Sequence, residues 1–242
     1  MKDIFPVDFY TFVSLSLVSM KEEKKQFIQS LIIPGLFCLA FVLFFVTEKV
    51  LHLDLHQFGI YPRHLKGMLG IVTHIFVHAN VQHLLNNVLS FFILSVSLYY
   101  FYSNIASKIL LLTWFTTGCL LWSIGRESWH IGASGLIYGL AFFLFFSGII
   151  RKHIPLIAIS FIVAFFYGNM VWHVFPWQQY DPVSWEGHLS GGVSGLLFAL
   201  LYKKEGPQRP VKEWTEDETE DEKDLAEYAE SFEVEGEEKN KD

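Results

Sequence analysis

Two short glycine-flanked motifs contain a serine and a histidine that could act together as a nucleophile and a base. The first motif, GASG, places Ser134 at the opening of an apolar segment that extends to Ile150. The second motif, GHLSG, places His188 at the opening of a later apolar segment. An imidazole within hydrogen-bonding distance of a serine hydroxyl can remove its proton and make it nucleophilic. The two motifs therefore indicate nucleophilic catalysis by Ser134 and His188.

A structural interpretation of the serine motif is also open. Glycine-rich faces are common in membrane helices, where a serine hydroxyl usually bonds to a nearby carbonyl. The histidine favours the functional interpretation, because an ionisable side chain within a membrane span is costly and marks a candidate site.

A third apolar segment opens with the sequence VQHLLNN at residues 81–87. His83 and Asn87 are four residues apart, so a helix would present both on one face. Both side chains can donate hydrogen bonds. The segment is therefore a second candidate source of polar groups for the same site.

The apolar residues are grouped into long uncharged runs rather than spread as in a soluble core. Residues 26–47 form a run of 22 residues without Asp, Glu, Lys or Arg, residues 128–150 form one of 23, and residues 153–180 form one of 28. Runs near 20 residues match the thickness of the bilayer hydrocarbon core. The sequence predicts an all-α polytopic membrane protein with six spans, at about residues 27–47, 81–101, 109–124, 132–150, 154–171 and 187–202.

Small residues in the sixth predicted span recur every four positions, at 187, 191, 195 and 199. Residues four apart stack on one helix face, and small residues there let two membrane helices approach closely. The spacing predicts a tight contact that brings His188 towards Ser134.

The net charge of −7 hides two different regions. Residues 205–242 carry a net charge of −11, which leaves +4 for the rest of the chain. We predict three parts: an interfacial segment at residues 1–25, a six-span domain at 26–204 and an acidic, disordered tail at 205–242.

Lys and Arg residues flank the predicted spans mainly on one side of the membrane, at positions 21, 24, 25, 108, 151, 152, 203 and 204. The positive-inside rule places this side in the cytoplasm. We therefore expect cytoplasmic termini, with the openings that carry His83, Ser134 and His188 on the outer side.

The connection from Glu48 to Val81 is too long for a turn and contains five histidines, at positions 52, 56, 64, 74 and 78. A loop of this length usually has a function or its own secondary structure. We expect it to be partly helical and embedded in one leaflet.

These motifs together resemble the rhomboid family of intramembrane serine proteases. The resemblance rests on GASG with Tyr138 four residues after the serine, on the HLSGGVSG sequence of residues 188–195, and on His83 with Asn87. The histidines at 74 and 78 also fit, through their spacing to His83. The resemblance covers about residues 27–204, and it implies a six-helix bundle of rhomboid type.

The resemblance assigns a role to each residue. Ser134 would be the nucleophile and His188 the general base, with Tyr138 packing against His188. His83, Asn87 and the backbone N–H of Ser134 would stabilise the oxyanion. Four glycines would support the helix contact and the turn, at positions 132, 135, 191 and 195.

The implied protein is a serine endopeptidase that uses a Ser-His dyad and no cofactor or metal. Its partners would be single-span membrane protein substrates and the lipid bilayer, with no nucleic acid. The sequence is consistent with a dyad, because no Asp or Glu lies within the second, fourth or sixth predicted span.

One feature departs from the family, and two alternative functions remain open. Pro62 precedes Arg63 where many members have Trp-Arg, so the docking of the first loop is not predicted. His74, His78, His83 and His130 could instead form a metal site, although His74 and His78 could equally bond to loop carbonyls. The chain could also be an inactive rhomboid-like binding protein.

Overall fold

The computed structural model describes residues 9–175 and 184–210, and apart from one isolated β-bridge the regular structure in these ranges is helical. The helices are α1 Phe9–Val50, α2 Gly70–Thr73, α3 Val81–Phe101, α4 Ala106–Ile124, α5 Ser134–Arg151, α6 Ile154–Tyr167 and α7 Trp185–Leu201. Short 3₁₀ helices lie at His56–Phe58, Leu65–Gly67, His74–Phe76 and Gly168–Val174. The chain divides into two units after Arg209, and all of these helices belong to the first. The predicted tail lies outside the described residues from position 211 onward.

Four of the described helices are long and apolar enough to cross a membrane. They are residues Met20–Val50 of α1 together with α3, α4 and α5. The protein is therefore an all-α integral membrane protein. Helices α6 and α7 occupy the positions of the fifth and sixth predicted spans, but they have only 14 and 17 residues. The count of six spans thus stays a prediction.

Helix α1 is longer than the first predicted span. It begins at Phe9 and continues through the charged residues 21–25 to Val50, with Pro34 inside it. The expected boundary at residue 25 is therefore not marked by a helix end. An interfacial position for residues 1–25 stays a prediction.

Helices α5 and α7 pack against each other through glycines. A Cβ atom at Gly191 would overlap the carbonyl oxygen of Gly135, and one at Gly195 would overlap that of Gly139. From the other side, a Cβ at Gly135 would lie 3.0 Å from the carbonyl oxygen of Gly187. The predicted contact through small residues is thereby confirmed, and α5 is its partner.

Helix α4 packs against the glycines of α5 in this contact. Thr113 and Thr117 are fully buried, and their methyl groups face the positions that Cβ atoms would take at Gly139 and Gly135. The sequence indicated little chemistry in the third predicted span, yet its threonines fill the space that the glycines leave.

Arg151 joins the other ends of α5 and α7. This buried side chain donates from Nη2 to the carbonyl of Tyr202, at 2.6 Å, and from Nε to the hydroxyl of Ser147, at 2.8 Å. The two helices are therefore joined at the end opposite to Ser134 and His188.

The loop between α1 and α3 is partly helical, as predicted, and it docks on the end of α4. The backbone N–H of Arg63 donates to the carbonyl of Trp122, at 3.0 Å, and its Nη1 donates to the carbonyl of Gly125, at 2.6 Å. Ile60 and His130 exchange two backbone hydrogen bonds of 2.9 and 2.8 Å. The loop is thus attached to the segment that precedes Ser134.

We predict that Gly191→Leu and Gly195→Leu each destabilise the protein by about 1–3 kcal/mol, because overpacking forces the two backbones apart. The measurement is thermal unfolding of the detergent-purified protein. Gly35→Leu in α1 is the matched control, since a Cβ there meets open space. Equal melting temperatures for Gly195→Leu and Gly35→Leu would contradict the assigned contact.

Candidate active site

Ser134 and His188 lie within hydrogen-bonding distance of each other. Ser134 is the first residue of α5, and His188 belongs to the first turn of α7. The Nε2 atom of His188 is 3.0 Å from the Oγ atom of Ser134. The close helix contact brings together the two residues that the sequence motifs singled out.

The imidazole of His188 is held by an aromatic ring and a backbone carbonyl. The ring of Tyr138 stacks on it with centroids 4.0 Å apart and planes 6° apart. Its Nδ1 is 3.1 Å from the carbonyl oxygen of His173, in the 3₁₀ helix before α7. A carbonyl can only accept, so Nδ1 carries the proton and Nε2 can accept the proton of Ser134.

The helix that begins at Ser134 has no side-chain cap at its start among the described residues. The first N–H groups of any helix lack acceptors within the helix. No side chain of the described residues caps α5 at Ala133, whereas Asn80 caps α3 and Ser184 caps α7. The N-terminus of α5 therefore favours a negative charge placed beside Ser134.

Gly132 forms the turn before Ser134 and lies against α3. Its φ angle is +102°, which favours glycine, and its N–H donates to the carbonyl of His74, at 2.9 Å. A Cβ there would lie 2.6 Å from Nε2 of His83 and 3.5 Å from Nδ2 of Asn87. His83 and Asn87 therefore share one face, as predicted, and that face meets the turn before Ser134.

Asn87 holds an unpaired donor. Its side chain is buried, and its Nδ2 atom has no hydrogen-bond partner among the described residues. A buried amide without a partner is costly, so such a group needs an explanation. A hydrogen-bond acceptor that is present only during a reaction would explain the unpaired amide.

A cavity of about 880 Å³ lies beside these residues. Its lining includes the five side chains of Ser134, His188, Tyr138, His83 and Asn87. The fold thus gathers all the predicted polar site residues at one cavity, while Gly135, Gly191 and Gly195 lie in the contact between α5 and α7.

Two of the loop histidines, His74 and His78, bond to nearby carbonyls. The Nδ1 atoms of His74 and His78 lie 2.8 and 3.3 Å from the carbonyl oxygens of Gly70 and Phe76. Burial and the nearby His83 lower the pKa of His78 to about 4. Within the described ranges, no three His, Cys, Asp or Glu side chains converge as a metal site requires.

The structure also shows polar residues that our sequence interpretation missed. Helix α7 begins at Trp185 rather than at Gly187, so it contains a buried carboxylate, Glu186. The predicted span at residues 187–202 contains no acidic residue, but the helix starts two residues before it. Two positions apart on a helix do not face each other, so Glu186 is not directed at His188. A serine and an acidic residue at a helix start could have signalled this turn.

Glu186 and Ser184 face the segment before Ser134. Oε1 of Glu186 is 3.6 Å from Nε of Arg126, and Oγ of Ser184 is 2.7 Å from Nδ1 of His130. Burial lowers the pKa of His130, whose Nε2 is 2.9 Å from the carbonyl oxygen of Arg126.

The arrangement places a serine hydroxyl, an imidazole and further polar side chains at one cavity of an integral membrane protein. A family model for the rhomboid domain matches residues 66–205, which is more than half of the chain. This chain belongs to the rhomboid family.

Similar proteins fall into two groups. An uncharacterized protein of Mycobacterium tuberculosis is 35% identical over 167 residues, which cover 64% of this chain and 66% of that protein. One of Mycobacterium leprae is 34% identical over 146 residues, covering 57% of each. Rhomboid-related protein 1 of Caenorhabditis elegans is 31% identical over 141 residues, covering 53% of this chain and 38% of that protein. The chain thus matches less than two thirds of each of these relatives.

Proposed function

We propose that this protein is an intramembrane serine endopeptidase that cleaves peptide bonds in or near the transmembrane helices of membrane proteins. The observation that carries the proposal is the 3.0 Å contact between Nε2 of His188 and Oγ of Ser134. Membership of the rhomboid family supports it, because serine proteolysis is the activity that the resemblance implies.

In the proposed mechanism Ser134 attacks the scissile carbonyl while His188 takes its proton at Nε2. His188 then donates this proton to the leaving amine, and water releases the acyl group from Ser134 by the same steps. The stack with Tyr138 and the carbonyl of His173 keep the imidazole oriented, in the role that a carboxylate has in a triad.

The oxyanion formed by the attack needs donors that are already in place. We assign this role to the backbone N–H of Ser134, to the unpaired amide of Asn87 and to His83. The uncapped start of α5 and the buried Nδ2 of Asn87 support the assignment.

The proposal includes the six-span topology. Helix α7 has 17 residues, but it lies among other helices, with ten of its residues buried, so it need not match the full lipid thickness. We further propose cytoplasmic termini, an active site that opens to the outer face, and single-span membrane proteins as substrates. No cofactor enters the mechanism.

The alternative of an inactive rhomboid-like binding protein is less well supported. Such a protein has no need of a serine hydroxyl and an imidazole at 3.0 Å. The metal-site alternative is also weaker, because no group of three His, Cys, Asp or Glu side chains converges within the described ranges.

We predict that Ser134→Ala and His188→Ala each abolish cleavage of single-span substrates while the protein still folds and inserts. The measurement is proteolysis by detergent-purified protein, with fluorophosphonate labelling of the serine. Ser123→Ala, which removes an exposed hydroxyl in α4, is the control and should retain both activities. Full cleavage by Ser134→Ala would refute the mechanism.

We predict that His83→Ala and Asn87→Ala each lower kcat by about 10²–10³, or roughly 2.7–4 kcal/mol, because each removes a donor to the oxyanion. Substrate binding should change less. Fluorophosphonate should still label Ser134, though more slowly, and Ser97→Ala in the same helix is the control. Unchanged kcat in Asn87→Ala would exclude its assigned role, whereas loss of a bound metal in His83→Ala would favour a metal site.

We predict that single cysteines at Asp3 and Lys204 are protected from an impermeant thiol reagent in intact cells, whereas one at Glu127 is labelled. The excess of Lys and Arg on one side of the spans is the physical reason. The background should lack Cys38 and Cys119. The reverse labelling pattern would place the active site on the cytoplasmic side.

A further inference from the structure

Glu186 is a buried carboxylate that the proposed mechanism does not use. Only 3% of the residue is exposed, and its Oε2 has no hydrogen-bond partner among the described residues. Burying a charge in this way is costly unless it is paired or serves a function. Glu186 lies two residues before His188 in the first turn of α7, close to the base of the proposed dyad.

The carboxylate is directed across the gap between α7 and the segment that leads to Ser134. Its Oε1 is 3.4 Å from the backbone nitrogen of Arg126 and 3.6 Å from the Nε of the same residue. One oxygen therefore contacts both the main chain and the side chain of that segment. The main-chain contact fixes the backbone itself rather than only a flexible side chain.

A second link runs parallel to the first. The Oγ of Ser184 accepts from the N–H of Gly187, at 3.1 Å, and is 2.7 Å from Nδ1 of His130. Nε2 of His130 is 2.9 Å from the carbonyl oxygen of Arg126, so Nε2 donates and Nδ1 accepts from Ser184. The cap of α7 is thereby joined to the same segment through His130.

Together the two links connect the residues just before the nucleophile to the turn that carries the base. Residues 125–133 lie between α4 and α5, contain no helix and lead directly to Ser134. They hold their place through contacts such as these and through the pairing of His130 with Ile60. A shift of this segment or of the first turn of α7 would change the distance between Ser134 and His188. The rate of a reaction between positioned groups falls steeply when their distance changes.

We propose that Glu186 is a positioning residue for the reaction, which sets the distance between Ser134 and His188 through its contacts with Arg126 while Ser184 and His130 provide the parallel link. The inference rests on the proposed function. It assigns no contact between Glu186 and the substrate, since Glu186 is not among the residues that line the cavity. Glu186 should therefore act on kcat rather than on KM.

The test compares Glu186→Gln, Glu186→Ala and Ser184→Ala with the wild-type protein in detergent, well below their melting temperatures. The readouts are kcat, KM and the rate at which fluorophosphonate labels Ser134. We expect kcat to fall by about 10-fold in Glu186→Gln and about 10²-fold in Glu186→Ala, in line with the cost of misplaced groups. KM should stay unchanged in both Glu186 variants. Ser184 lines the cavity, so its variant is judged by kcat and the labelling rate alone. In all three variants the labelling rate should fall in parallel with kcat.

The matched control is Glu127→Gln, which neutralises a neighbouring carboxylate that is exposed and pairs with Arg63. It should retain wild-type kcat, because exposed ion pairs contribute little. A double variant, Glu186→Gln with Arg126→Gln, should be no slower than the slower single variant, since the two residues act as a unit.

A purely structural role would give a different result. Lower melting temperatures with wild-type kcat and labelling rates in Glu186→Gln and Ser184→Ala would overturn the inference. If Glu186→Gln does not fold, Ser184→Ala tests the parallel link by the same readouts. Absence of Ser134-dependent labelling in the wild type would instead refute the proposed function, so the two failures are distinguishable.

Discussion

The close approach of α5 and α7 is the contact on which the site depends. A Cβ atom on either of two α7 glycines, Gly191 and Gly195, would overlap a carbonyl oxygen of α5. Any larger residue would hold the backbones apart, and Ser134 and His188 would no longer meet at 3.0 Å. In lipid, where apolar burial drives helix association little, this packing is itself a main source of attraction. The same contact thus stabilises the bundle and assembles the site.

Among the described residues, an aromatic ring and a backbone carbonyl orient the imidazole of His188. A buried charge is costly unless it is paired, whereas a neutral ring stack and a backbone carbonyl carry no such cost. The ring of Tyr138 stacks on the imidazole of His188, and the carbonyl of His173 accepts from its Nδ1. The nearby carboxylate of Glu186 is paired with Arg126 instead.

Three helix openings meet at the cavity, and they are not equivalent. Side chains cap the openings of α3 and α7, at Asn80 and Ser184, so part of their backbone donors is already satisfied. The opening of α5 at Ser134 has no side-chain cap among the described residues. In the proposed mechanism, the uncapped start of α5 supplies donors to the oxyanion, together with the buried amide of Asn87.

The sequence by itself determined the membrane class, the helical positions and most of the residues that meet at the candidate site. Long uncharged runs, glycines four residues apart and the pair His83 and Asn87 are local patterns, and each reflects the period of a helix or the thickness of a bilayer. Ser134 and His188 could be singled out because the chemistry of catalysis restricts residue types. A feature that depends only on a local period or on a residue type can be predicted without knowledge of its neighbours in space.

Only the tertiary structure decided how these parts meet. The carbonyl of His173 that orients His188 belongs to the backbone, which leaves no trace in the residue types. The contact of Glu186 with Arg126 joins positions 60 residues apart, and the docking of the first loop on α4 is equally long-range. The sequence placed the start of the last span at Gly187, the first residue of its uncharged run, whereas α7 starts at Trp185. The helix can include the carboxylate of Glu186 because this buried group forms an ion pair with Arg126. Such pairings depend on distances between elements, which no local pattern encodes.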